Sequence, residues 1–399
     1  MDWVKESPPI LAECGTTAEF CTDTNIGAPS TTKAGTNGYI SHYGMKIVKG
    51  NVPSEFRSIG YYEGYQFKRD CLYQDTTQVD HLKYTHLHFG FADISSDYEI
   101  SINDKSTNYY PKRIILRQGT SPANRKKLAI NIAKFVNDND LDGVDIDWEY
   151  PSVLTNKNLA PDIPGTPPRD KSEGANYLAF LVILKNLLKE KSISIAAPSL
   201  YWYLKGFPIA KISKVVDYIV FMTYDLHGQW DAESLSLITK AGVDLGKVVV
   251  GVSSYGRSFR IADADCDGPL CKFTGGRLDS NADKVECTDT AGYISNAEIN
   301  QLLKHNSSPV NKHYIDAHSN SNIMVYDNTN WVAYMSPEIR AQRAKMYESL
   351  GMGGTGFDGW PGLILEAKSG VITPRGAGNR RGNWTKIGYD DEYYRETPY

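Results

Sequence analysis

The chain has 399 residues, 41% of them apolar, with 43 basic against 47 acidic side chains and a net charge of −4. That length fits one large α/β barrel with appendages or two ordinary domains. The charge balance offers neither a basic stripe for nucleic acid nor a polybasic segment for a membrane surface, and no apolar run approaches the ~20 residues of a membrane span.

The first segment, about 1–54, is rich in Gly, Thr, Ser and Pro and has no strong period, as a small module or linker would. Met1–Glu6 has neither a basic leader nor an apolar core. Cys14 and Cys21 form one local cluster of cysteines, and Cys266, Cys271 and Cys287 form a second, with Cys71 between them. The spacings suit disulfides better than metal ligation, since no His stands near them in a zinc pattern. Asn306-Ser307-Ser308 and Asn383-Trp384-Thr385 are glycosylation sequons. We therefore expect an oxidising, extracellular compartment, reached by a parent protein whose leader is missing here, and no metal or cofactor.

From about residue 57, β-rich and helical segments alternate. Ser58–Tyr62 and Tyr84–Phe91 read as strands. Ser121-Pro122 is a good helix start, with Ser as N-cap and Pro in the first turn. Leu128, Ile132, Phe135 and Val136 then recur at helical spacing up to the polar run Asn137–Asp140. A second helix is expected from about Glu173 to Lys189. Short β-branched runs at 192–197, 216–222 and 247–252 are of the kind buried in a parallel sheet. This rhythm argues for a closed α/β barrel. It breaks between about 262 and 332, where three cysteines and several Gly and Asn suggest a small α+β insertion. A helix from about Pro337 to Leu350 resumes the barrel. The stretch 360–399 turns polar and reads as a disordered tail.

The most informative run is Asp142-Gly143-Val144-Asp145-Ile146-Asp147-Trp148-Glu149. In an extended strand Asp145, Asp147 and Glu149 share one face. Three carboxyls side by side repel one another and cost desolvation. A fold keeps them if they share protons, bind a cation or do chemistry. A merely solvated acidic strand is disfavoured by the flanking Leu141, Val144, Ile146 and Trp148, which bury it. A cation site lacks further converging ligands nearby.

The run resembles the signature of glycoside hydrolase family 18, the chitinases. The likeness covers about Arg57 to Gly354. It implies a (β/α)8 TIM barrel with the small insertion after strand seven, in a catalytic unit spanning 55–359, acting on chitin or chito-oligosaccharides. In such enzymes the motif ends the fourth strand and the Glu, here Glu149, is the general acid/base. The substrate's own N-acetyl oxygen is the nucleophile. Asp147 would orient the acetamido N–H, and Asp145 would share a proton with it. Phe221-Met222-Thr223-Tyr224-Asp225 resembles the sixth-strand motif. It implies that Tyr224 bonds the acetamido oxygen, Asp225 binds the sugar and Met222 shapes the pocket floor. Tyr62, Trp148, Tyr150 and Trp230 are candidates for stacking on sugar rings, and Arg257, within Tyr255–Phe259, for a sugar contact. The wording of His227–Asp231 and Thr290–Glu298 is similar to a fungal class V subgroup related to killer-toxin subunits. Cys14–Cys21 resembles half of a hevein-type chitin-binding module.

The chain departs from that pattern in three places. No Ser-x-Gly-Gly stands between Phe91 and Asp142, which implies a deletion of roughly twenty residues in the third β/α unit. We expect Arg113–Leu116 to serve as a shortened third strand. The segment after Trp230 is short. Trp360 is displaced from the eighth-strand position at which a Trp floors the sugar pocket. Two readings follow: an endo-acting chitinase, or a catalytically impaired chitin-binding or toxin-delivery subunit with the same fold.

Overall fold

The computed structural model describes residues 47–64, 78–102, 121–151, 172–224, 230–276, 280–304 and 309–358. The N-terminal cysteine module, the expected third strand at 113–116 and the tail lie outside them. The strands, in chain order, begin with β1 (Arg57–Glu63), β2 (His86–Gly90), β3 (Asp93–Ile94), β4 (Ile100–Ser101) and β5 (Gly143–Ile146). There follow β6 (Ser192–Pro198), β7 (Tyr218–Met222), β8 (Val248–Ser253) and β9 (Tyr255–Ile261). The last are β10 (Phe273–Thr274), β11 (Tyr293–Ser295), β12 (Val310–Asp316), β13 (Ser321–Tyr326), β14 (Asn330–Tyr334) and β15 (Gly354–Asp358).

Seven strands pair in the order β2-β1-β15-β8-β7-β6-β5. Every pairing is parallel, and the sheet curls into a nearly closed barrel. Its central strands are apolar runs buried on both faces, as the helix-covered parallel sheet requires. β3 and β4, which follow β2 in the chain, pair only with each other, so among the described residues β2 and β5 are the edges of the barrel sheet and face each other across a seam.

The helices that cover the barrel begin where the chemistry places them. Ser121 Oγ accepts from the Asn124 N–H and Pro122 enters the first turn of the helix Pro122–Asp138. Its buried face is Leu128, Ala129, Ile132, Ala133 and Val136. The helix Glu173–Leu187 buries Tyr177, Phe180, Leu181 and Leu184. These side chains join one large core between helices and sheet. A smaller core, Ile59, Tyr218, Val220 and Val249, fills the barrel interior.

A second sheet, β10-β9-β14-β13-β12 with β11 on β9, is antiparallel throughout. It begins at Tyr255, directly after β8, and so takes in the segment Tyr255–Phe259 as its first strand. One face closes over Ile294, Ile299, Met324, Tyr326, Val332 and Tyr334, with the helix Asn296–Lys304 contributing Ile299. Buried Glu298 ties the turn before that helix together, accepting from the Cys287 N–H at 2.6 Å and the Ser295 hydroxyl at 2.7 Å. Cys266 and Cys271 form a disulfide, and Cys287 is also disulfide-bonded.

Gly143 lies close against Ser192 of β6, its partner in register. A Cβ there would come within 2.3 Å of the Ser192 carbonyl oxygen, so Gly143→Ala must push the two strands apart. We expect a loss of about 1–3 kcal/mol, read as a lower urea midpoint with an unchanged slope.

Candidate active site

A row of polar side chains runs through the interior of the barrel, on strands β1, β2, β5, β6 and β7. Asp145 lies on β5, in register with Ser194 on β6, which is in register with Tyr218 on β7. Tyr61 on β1 is in register with His88 on β2. The two rows face each other inside the barrel. Ser194 donates its hydroxyl to Asp145 Oδ1 at 2.5 Å, and the Tyr61 hydroxyl donates to Asp145 Oδ2 at 3.0 Å. His88 Nδ1 stands 3.8 Å from the same Oδ2, and the two side chains are 12% and 10% exposed. His88 Nε2 is 2.7 Å from the Tyr218 hydroxyl. Tyr61 also meets His88 edge to face, centroids 4.7 Å apart.

The surroundings set the protonation of this row. Burial, then the charges of Asp145 and Asp147, push the Tyr61 phenol well above its ordinary range. Tyr177, across β5, is raised by the same three causes in the same order, and its hydroxyl donates to the Ile146 carbonyl at 3.2 Å. Tyr218 is pushed up to about 12, chiefly by burial and then by Asp145. His88 is lowered by burial, with Asp145 opposing the shift. The phenols therefore stay protonated donors and His88 a neutral imidazole.

The expected alternation of three acids along one strand is corrected in one respect. Pairing with β6 ends at Ile146, so Asp145 alone is a strand residue. Asp147 and Glu149 follow on the segment past the strand end, both half-buried.

The other candidates divide by surroundings. Tyr224 and Met222, at the end of β7, are half-buried. Thr223 between them donates its hydroxyl to the Gly251 carbonyl at 2.7 Å. Tyr150 stacks on Tyr203, centroids 4.6 Å apart. The Arg257 guanidinium lies 4.1 Å over the Tyr293 ring on the neighbouring strand β11. Two expected stacking residues are instead packed. Tyr62 is 5% exposed, on the opposite face of β1 from Tyr61, and Trp148 is 3% exposed against Tyr177. Both belong to the outer core, Tyr62 because strand alternation turns it toward the helices. Trp230 opens the helix Trp230–Lys240; its side chain, and all of Asp225 and Trp360, lie outside the described residues.

Sequence reading passed over Tyr61, His88, Ser194 and Tyr218. Alternation around Tyr61-Tyr62 was the available signal, but it leaves open which tyrosine faces the interior. Among the described residues no group of three or more His, Cys, Asp or Glu could hold a metal, and no helix is long and apolar enough to cross a membrane.

The family model "Glycosyl hydrolases family 18" matches residues 57–357. The chain is 70% identical to the protein named "Secreted chitinase LysM12" of Penicillium expansum, over 98% of this chain and 30% of that protein. That match runs over 454 positions, more than the 399 residues present here, so the relative carries internal residues with no counterpart in this chain. It is 32% identical to the killer toxin subunits alpha/beta of Kluyveromyces lactis, over 86% of this chain and 32% of that protein. The chain thus spans about a third of the length of these curated relatives. Among solved structures, catalytic domain 2 of the Ostrinia furnacalis Group II chitinase shares the fold, with a TM-score of 0.63, 19% identity, and coverage of 76% of this chain and 89% of that one.

The shifted groups fix how stability depends on pH. His88 has a lowered folded value, so its contribution is present above the ordinary 6.5 and is lost as pH falls through the folded value. Tyr218 behaves oppositely: its contribution is complete below 10.0 and is lost as pH rises toward about 12. Urea midpoints should therefore fall on both sides of neutrality, and Tyr218→Phe should flatten part of the alkaline fall.

Proposed function

The chain belongs to glycosyl hydrolase family 18, and from that premise we propose that it is a chitinase, cleaving β-1,4-linked N-acetylglucosamine polymers with retention of configuration. The observation that carries this reading is the unbroken Asp145-Ile146-Asp147-Trp148-Glu149 run leaving the end of a parallel barrel strand, where barrel active sites form. The names of the relatives point the same way.

In this reading Glu149 protonates the leaving glycosidic oxygen while the substrate's acetamido oxygen attacks the anomeric carbon. The resulting oxazolinium ion is opened by water, with Glu149 now accepting the proton. Asp147 holds the acetamido N–H and shares a proton with Asp145. Tyr224 donates to the acetamido oxygen as it attacks. Tyr150, Met222, Asp225, Trp230, Arg257 and Trp360 are the residues we assign to sugar binding. Tyr62 and Trp148 brace the strand ends from the core side. The substrate is extracellular chitin, and the protein is secreted. The impaired toxin-delivery reading is less well supported, because every acid that the chemistry needs is present.

The test is hydrolysis of a fluorogenic chitobioside by purified full chain beside Glu149→Gln. We expect the variant to lose roughly 10²–10⁴-fold in kcat; a wild type no faster than the variant would end the enzyme reading. A second variant probes Tyr224. A Cβ on Gly251 would come within 2.7 Å of the Tyr224 ring and 2.8 Å of the Phe221 carbonyl. Gly251→Ala should therefore lower kcat on the order of a hundredfold by moving Tyr224, with chitin pull-down retained.

A further inference from the structure

His88 is the buried titratable group that the mechanism above leaves without a task. It lies on β2, at the edge of the barrel seam, and reaches across the interior to strands on the far wall. The Tyr218 hydroxyl is 2.7 Å from Nε2, and the nearest acid to Nδ1 is Asp145. Nδ1 is buried and makes no hydrogen bond. Four groups face this imidazole: Asp145 from β5, Tyr218 from β7, Tyr61 from β1 and, along its own strand, His86.

Proton placement follows from the donors. Ser194 has one hydroxyl proton and gives it to Asp145. Tyr61 gives its own to Asp145 as well. Tyr218 holds its proton through the neutral range, so its O–H donates to His88 Nε2. A neutral imidazole with an accepting Nε2 carries its hydrogen on Nδ1. Nδ1 stands 3.8 Å from a carboxylate oxygen of Asp145, which already takes two hydroxyls.

We propose that His88, oriented by Tyr218, is a positioning residue for the acid run: its Nδ1–H holds the Asp145 carboxylate in one orientation and in the charged form, ready to take a proton from Asp147. The proposal rests on the hydrolase reading, since the proton exchange between Asp145 and Asp147 defines the task. The 3.8 Å separation exceeds a hydrogen bond by about an ångström, so in this structure the N–H acts on the carboxylate through its dipole, in a site where burial strengthens such interactions. Asp145 Oδ2 thus has a hydrogen bond from the Tyr61 hydroxyl and a longer contact with His88 Nδ1. Two strands in sequence, β1 and β2, supply both.

The experiment has a kinetic arm and a spectroscopic arm, both on the full chain. On the fluorogenic chitobioside, His88→Phe should lower kcat on the order of tenfold to a hundredfold with KM nearly unchanged. His88→Asn, whose amide can place an N–H near the Nδ1 position, should recover part of that loss. Tyr218→Phe should lower kcat by a smaller factor. In chain labelled with ¹⁵N-histidine, the His88 signal, assigned by its loss in His88→Asn, should be that of the Nδ1–H tautomer. Asp145→Asn should move its titration to lower pH, because the charge that opposes the burial shift is gone. A His88→Phe enzyme with wild-type kcat, or a His88 titration unmoved by Asp145→Asn, overturns the proposal. Failure of the hydrolase reading shows separately, as a wild type no faster than Glu149→Gln, and the titration arm then decides the placement of His88 by itself.

Discussion

A carboxylate set inside a barrel must be met by donors, and the site is organised around how Asp145 is met. Burying such a charge unpaired would cost several kcal/mol. Hydrogen bonds to an ionised acceptor are among the stronger ones a protein makes. Asp145 takes one from Ser194 on the adjacent strand and one from Tyr61 on the opposite wall. Those bonds do more than neutralise a cost. They fix β5 against β1 across the interior, although the two strands are not neighbours in the sheet. The His88–Tyr218 contact does the same for β2 and β7.

That cross-bracing bears on the seam. With β2 and β5 as its edges, the parallel sheet has lost ladder bonds at one place among the described residues. Side-chain contacts through the interior hold both edges to the far wall at the level of the acids. The small apolar cluster of Ile59, Tyr218, Val220 and Val249 lies in the same interior. Tyr218 belongs to both, its ring packed and its hydroxyl in the polar row. Asp145 is thus held from two other strands, and Asp147 and Glu149 follow it past the end of β5.

The second sheet grows directly out of β8, with one residue between β8 and β9. It therefore cannot drift far from the barrel mouth. Arg257, two residues into β9, lies over Tyr293 near that junction. Farther along the strand Phe259 meets Phe273 and Trp331. Glu298 locks the turn that leads into the covering helix by gathering backbone and hydroxyl donors from residues 287–295. The insertion is a small domain with its own core, fixed at the rim.

The sequence by itself determined the family, the barrel, the helix start at Ser121 and the run of acids. These are local facts: a cap needs one hydroxyl beside one helix start, a buried parallel strand is a β-branched run, and five residues carry the acid pattern. It could not decide which of Tyr61 and Tyr62 faces inward, because a period of two has no phase until one residue is placed. It gave no hint that His88, Ser194 and Tyr218 join Asp145, since they lie on three strands separated by up to 130 residues. Their meeting depends on register between strands that share no local pattern. Only the curled sheet sets that register, and with it which side chains meet at the acid.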